Sequence, residues 1–206
     1  MIVTALSPRL SRLLPEETVL EQVATGFRFT EGPLWDERSG SLLFSDIPAN
    51  RIYRWTEGHG IDVFRDPSGK SNGLAWDLDG GLLACEHLNR RVTKTGEDGS
   101  ITVLADRYQG RRLNSPNDLV VRSDGSVYFS DPPYGILSAD FGALAEQEQE
   151  CNGLFRLRPG AAEPELLRSE FDRPNGLAFS PDEARLYVAD TSQYHVRVFD
   201  VAADGT

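Results

Sequence analysis

Asn72-Gly73-Leu74-Ala75-Trp76 and Asn175-Gly176-Leu177-Ala178-Phe179 state one pattern twice, and Glu31-Gly32-Pro33-Leu34-Trp35 and Asn117-Asp118-Leu119-Val120-Val121 align with it. The four anchors, Glu31, Asn72, Asn117 and Asn175, lie 41, 45 and 58 residues apart. Behind each comes a turn, Arg38-Ser39-Gly40, Asp79-Gly80-Gly81, Asp124-Gly125-Ser126 or Pro181-Asp182-Glu183, and then a short apolar strand at 42–44, 82–85, 127–129 or 186–189. That is a hairpin each time. Each second strand closes on an acid, Asp46, Glu86, Asp131 or Asp190, which follows its anchor by 15, 14, 14 and 15 residues. Third strands read at 51–55, 90–94, 154–157 and 196–199, and fourth strands at 61–64, 101–104 and 165–167. Four short antiparallel strands recurring as one unit make the blade of an all-β propeller rather than a sandwich.

The fourth repeat reaches Asp204-Gly205-Thr206 where its outermost strand is due, and residues 19–23 read as a lone fourth strand. The expectation is therefore about four blades of a larger ring, a single domain over 17–206 incomplete at its C-terminus, behind an N-terminal extension at 1–16. A closed four-bladed ring is the competing reading. The long 58-residue step comes from an insertion near 135–152, in which 140–150 is suited to a short exposed helix. Its place after Asp131 makes it either a cavity wall or a decorated surface loop.

Composition narrows the partners. In 206 residues, 21 Lys plus Arg against 32 Asp plus Glu leave a net charge of −11, which repels phosphate backbones and anionic lipid. Nucleic acid and membrane are not expected partners. The 19 Gly and 12 Pro point to many tight turns. Cys85 and Cys151 allow one bridge at most, and match neither a disulfide scaffold nor a zinc site. Ser7, Pro8, Arg9, Ser11 and Arg12 interrupt the N-terminal stretch, so no secretory core forms there and a cytoplasmic chain is expected.

In a propeller the first strand of each blade lines the channel, and the end of the second strand returns to the same mouth. Anchors and terminal acids should therefore gather there, with the acids near or behind the anchors. Carboxylate and amide oxygens around one axis suit a hard divalent cation. The plainer reading is structural: Asn before Gly is also a turn signal, and blade acids tie loops together. A turn role explains three Asn anchors and leaves Glu31 unexplained, whereas a cation explains it. Of the histidines, His59 lies in a turn, His195 begins a strand, and His87 follows Glu86 at the mouth.

Glu31-Gly32-Pro33-Leu34-Trp35, the run from Leu43 to Ile52, Leu113-Asn114-Ser115-Pro116-Asn117-Asp118-Leu119, Tyr128-Phe129-Ser130-Asp131-Pro132-Pro133-Tyr134-Gly135 and Arg173-Pro174-Asn175-Gly176-Leu177 closely resemble bacterial gluconolactonases of the senescence-marker protein/gluconolactonase (regucalcin-like) family. The resemblance covers most of 17–201. It implies a six-bladed propeller with one divalent cation, calcium or in its place zinc, manganese or magnesium, and sugar lactones as substrates. By resemblance Glu31 and Asn175 match metal ligands, and Asn117 an Asn that binds the metal or its water and substrate. The family's further Asp, a ligand and acid/base from a later blade, would fall beyond Thr206. Asn72, Asn117, Asp131 and His87 are the candidates for sugar hydroxyls. With no serine elbow or Cys/His pair in view, metal-assisted hydrolysis needs no acyl intermediate. The alternatives are a related propeller esterase or phosphotriesterase, and a calcium-binding propeller without turnover.

Overall fold

The computed structural model describes Ser7, residues 9–14 and residues 18–206. The four repeats form four sheets. The first is β1 (Thr30–Asp36), β2 (Ser41–Asp46), β3 (Arg51–Thr56) and β4 (Gly60–Arg65); the second is β5 (Ser71–Trp76), β6 (Leu82–Glu86), β7 (Arg91–Thr95) and β8 (Ile101–Ala105). After a hairpin of β9 (Arg107–Tyr108) and β10 (Arg111–Arg112) comes the third, β11 (Leu119–Val121), β12 (Val127–Asp131), β13 (Asn152–Leu157) and β14 (Glu165–Phe171). The fourth has three strands, β15 (Pro174–Phe179), β16 (Arg185–Asp190) and β17 (His195–Asp200). Every pairing is antiparallel and follows chain order. The inner strands pack in sequence, β1 beside β5, β5 beside β11 and β11 beside β15, and no comparable packing joins β15 to β1.

Alternation along each strand sends apolar side chains to both faces of a blade, so the core lies in the wedges between blades. Leu43, Ile52, Leu74, Leu82 and Ala84 fill the first wedge. Leu83, Cys85, Val92, Leu119, Phe129 and Phe155 fill the second, and Tyr128, Leu154, Phe171, Leu177, Leu186 and Val188 the third. At about 1.5–3 kcal/mol for each fully buried large apolar side chain, these wedges dominate the favourable side of folding.

Close approach at the axis explains the glycine after the anchors. Gly32 has φ +57°, and a Cβ there would overlap the Asn72 carbonyl of the next blade. A Cβ on Gly73 would sit 2.6 Å from the Asp118 Cα. Only glycine lets the inner strands come so near.

Three expectations are corrected. Residues 140–150 form no helix; a single turn, α1 (Tyr134–Leu137), lies earlier. The backbone of the later segment bonds elsewhere: the Ala143 N–H donates to the Gly135 carbonyl (2.9 Å) and the Ala145 N–H to the Ile136 carbonyl (3.1 Å). The Gln149 amide nitrogen reaches the carbonyls of Tyr108, Arg111 and Arg112 at 3.3, 2.9 and 3.0 Å. Tertiary hydrogen bonds override a modest helix propensity. In place of the strand expected at 19–23 there is a single bridge at Val19, without the repeated ladder a strand requires. The two cysteines are free thiols, Cys85 buried in the second wedge. Among the described residues no helix is long and apolar enough to cross a membrane.

Candidate active site at the mouth of the ring

Three repeat positions and the insertion enclose a cavity of about 440 Å³. All four anchors line it. So do Phe29 and Arg173, each two residues before an anchor, and Ile47, His87 and Thr191, each one residue after a terminal acid. The insertion contributes Tyr134, Leu137, Ser138 and Phe141, which makes it a cavity wall. The spacing of the repeat could have found the anchor-minus-two and acid-plus-one residues; only the fold shows where the insertion goes.

A bulge aims the anchors. Pairing of β1 with β2 shifts between Glu31 and Leu34, of β5 with β6 between Ser71 and Leu74, and of β15 with β16 between Pro174 and Leu177. Such a bulge turns a side chain out of the alternating pattern. In the third blade β11 begins only at Leu119, and Asn117 is held by its N–H donating to the Ser130 carbonyl (2.8 Å). Neighbouring blades fix the anchors in turn: Ser45 Oγ donates to the Asn72 carbonyl and Ser130 Oγ to the Asn175 carbonyl, both at 2.8 Å. Among the described residues no protein group hydrogen-bonds the side-chain amides of Asn117 or Asn175, and no cation pairs with Glu31. Burial, opposed by the Gly32 N–H, raises the Glu31 pKa above the usual carboxylate value.

The terminal acids do something else. Asp46 accepts the N–H groups of Arg28 (2.9 Å) and Phe29 (3.2 Å), Asp131 those of Asn114 (2.7 Å) and Ser115 (2.8 Å), and Asp190 those of Asp172 (2.8 Å) and Arg173 (3.0 Å). Each clamps the residues three and two before its own anchor. Glu86, one methylene longer, is instead an ion-pair hub for Arg65 (2.5 Å) and Arg91 (2.7 Å). None of the four lines the cavity. The expectation that Asp131 meets sugar hydroxyls is corrected accordingly: its carboxylate is buried and committed to backbone N–H groups. Burial, only partly offset by the Asn114 and Ser115 N–H groups, pushes its pKa up to about 7.

His87 does line the cavity. Its Nδ1 lies 3.2 Å from the Phe141 carbonyl, which can only accept, so Nδ1 carries the proton and Nε2, 3.4 Å from the Asn72 amide nitrogen, is left as acceptor. Burial, opposed by the hydrogen bond to Phe141, lowers its pKa to about 4 and keeps the ring neutral near pH 7.

Asp118 went unnoticed in the sequence because it stands where the other repeats have glycine. Its Oδ2 accepts the Leu177 N–H at 3.3 Å, across to the fourth blade. Burial pushes its pKa up to about 6, against the Leu119 and Leu177 N–H groups, and the charge of Glu31 adds to the rise. Two carboxylates thus influence each other near the axis without a cationic side chain between them.

That donor set fits a hard divalent cation. Among the described residues no cluster of three His, Cys, Asp or Glu is placed to hold a metal, which disfavours a zinc site built on His and Cys. Glu31 with the amide oxygens of Asn117 and Asn175 offers one charge and neutral oxygen donors, all open to the cavity, as calcium accepts.

Known proteins share this architecture. A gluconolactonase of Zymomonas mobilis is 36% identical over 219 residues, covering 98% of this chain and 61% of that protein. Regucalcin of Bos taurus is 32% identical over 171 residues, covering 82% and 54%. The solved structure of a gluconolactonase from Xanthomonas campestris superposes with a TM-score of 0.82 at 38% identity, covering 85% of this chain and 59% of that one. The chain thus spans between half and two thirds of the length of these relatives. The family model described as SMP-30/Gluconolactonase/LRE-like region matches residues 29–206. The chain, an all-β arc of four propeller blades, belongs to that family.

Proposed function

We propose that the chain carries the centre of a metal-assisted lactonase acting on sugar lactones. One observation carries the reading: Glu31, Asn117 and Asn175, from three blades, meet in one cavity, and among the described residues no side chain hydrogen-bonds them and no cation neutralises Glu31. Glu31, Asn117 and Asn175 would hold a divalent cation, calcium by donor chemistry. When bound, such an ion polarises a lactone carbonyl and lowers the pKa of a coordinated water.

The chain's own residues supply orientation. Asn117 positions water or the lactone. Asn72 and the neutral His87 lie 3.4 Å apart; Asn72 presents its amide oxygen to ring hydroxyls, and Nε2 accepts from a hydroxyl in place of the Asn72 amide. With a pKa of about 4, His87 accepts hydrogen bonds and is a weak proton acceptor for attacking water at neutral pH. Phe29, Ile47, Leu137 and Phe141 give the cavity an apolar side. The Phe29 and Phe141 rings meet edge to face, 5.1 Å apart.

Acid release from glucono-δ-lactone, followed with and without chelator, tests this. The expectation is turnover that falls to background on chelation and returns with added calcium. Turnover indifferent to chelator rejects the metal, and no turnover with metal present rejects the lactonase.

A further inference from the structure

The position two before each anchor is occupied by Phe29, Lys70, Ser115 and Arg173. The first three are engaged with the insertion. Phe29 packs on Phe141, the Lys70 ammonium donates to the Ala139 and Asp140 carbonyls, and Ser115 Oγ donates to the Pro132 carbonyl (2.6 Å) and accepts the Gly135 N–H (2.8 Å). Arg173 is different. Its guanidinium lies over the Tyr134 ring, 5.4 Å from the centroid, and makes no hydrogen bond or ion pair. Every other Arg or Lys side chain between residues 18 and 206 makes one or the other; even Arg168, which has no acid partner, donates to the Leu167 carbonyl. In a chain with net charge −11, the one cation left unpaired between residues 18 and 206 also lines the cavity.

A guanidinium carries five N–H donors in a planar fork that matches carboxylate and phosphate oxygens, and stacking on an aromatic face fixes its plane beforehand. Neighbouring hydroxyls add donors. The Thr191 N–H donates to the Arg173 carbonyl (3.1 Å), which places Thr191 beside Arg173 in the wall, and Ser138 lines the same cavity. Arg173 immediately precedes β15 and lines the cavity two residues before Asn175, so it can address a part of the ligand beside the anchors.

We propose that Arg173 is a specificity residue that reads an anionic substituent, a phosphate or a carboxylate, on the sugar ring bound at the anchors. The proposal rests on the reading of this cavity as a sugar-lactone site, and narrows its substrates to lactones with a second, charged group.

The test avoids turnover. Glucose, glucuronate and glucose 6-phosphate share one ring and differ in the group at its sixth carbon, and none is a lactone. Calorimetric titration of the calcium-loaded chain is expected to show glucuronate or glucose 6-phosphate binding about tenfold or more tightly than glucose, as a charge-assisted hydrogen bond implies. Which of the two gains more separates the carboxylate from the phosphate, and inorganic phosphate alone shows whether the ring is needed. Arg173→Leu should erase the gain, while Arg173→Lys keeps part of it. A purely structural cation–π role would instead lower binding of all three rings alike. Equal binding of charged and neutral rings, or a gain that survives Arg173→Leu, overturns the proposal. Should Arg173→Leu not fold, an Arg173→Lys protein with undiminished selectivity for both anions does the same. Because hydrolysis is not measured, a chain that fails to open glucono-δ-lactone can still pass or fail this test.

Discussion

The anchors and the terminal acids are two rings of polar side chains generated by the same repeat at the same end of the propeller, and they are put to opposite use. The anchors, three of them on bulges, line the cavity, and no side chain or cation takes up the oxygens of Glu31, Asn117 and Asn175. The acids lie at the ends of second strands and do not line the cavity; Glu86 pairs with Arg65 and Arg91, and the other three spend their oxygens on N–H groups of the segment leading into their own blade. Asp46, Asp131 and Asp190 do so at identical offsets. Equivalent spacing therefore says little about role; what matters is whether a backbone donor lies within reach of the carboxylate. Where donors are near, a buried acid is structural. Where none is, it is available for a cation or a ligand.

The sharpest way to break this contrast is to alter one member of each ring. Glu31→Gln keeps size and removes charge. It should lower kcat/KM for lactone opening by about 100-fold or more while leaving the urea midpoint nearly unchanged, because nothing in the fold hydrogen-bonds that carboxylate through a side chain. A large loss of stability instead would move Glu31 into the structural class. Asp46→Ala should show the converse, a loss of about 2 kcal/mol in urea unfolding, because the Arg28 and Phe29 N–H groups lose their acceptor. A midpoint unchanged in that variant would mean water replaces the carboxylate.

The smallest effect concerns His87, which bridges the rings as the residue after Glu86. Its pKa in the fold, about 4, lies below the unfolded value of about 6.5. A depressed pKa means that the folded chain binds fewer protons, so the contribution is whole above about pH 6.5 and is lost as pH falls toward 4. Relative to His87→Gln, the unsubstituted chain should lose about 1 kcal/mol between pH 6 and pH 5 in urea titrations. Parallel curves for the two proteins would show an imidazole that protonates in place.

Much of the fold was legible because a propeller is a repeat. Turn residues, two-residue alternation and the return of Asn-Gly set the strand order, and the blade edges came within a residue or two for most strands. The β9–β10 hairpin escaped notice because its strands are two residues each, although Gln109 and Gly110, both at positive φ, form the kind of turn such hairpins use. The insertion misled for a different reason. Ala143, Leu144, Ala145 and the Glu/Gln run carry helix propensity, but Gln149 and the Ala143 and Ala145 N–H groups find partners outside the segment. Local preference is worth tenths of a kcal/mol per residue, and such partners outweigh it.

At the site, the sequence by itself determined which residues recur at the channel mouth, because recurrence is a property of spacing. It placed Glu31, Asn72, Asn117 and Asn175 together, and His87 near them. Only the tertiary structure decided which oxygens remain free, turned Asp131 away from the cavity, set Asp118 near Glu31 at the axis, and left Arg173 unpaired over Tyr134. Those outcomes depend on distances of about 3 Å between atoms from different blades, where a hydrogen bond is either made or lost, and no one-dimensional spacing resolves them.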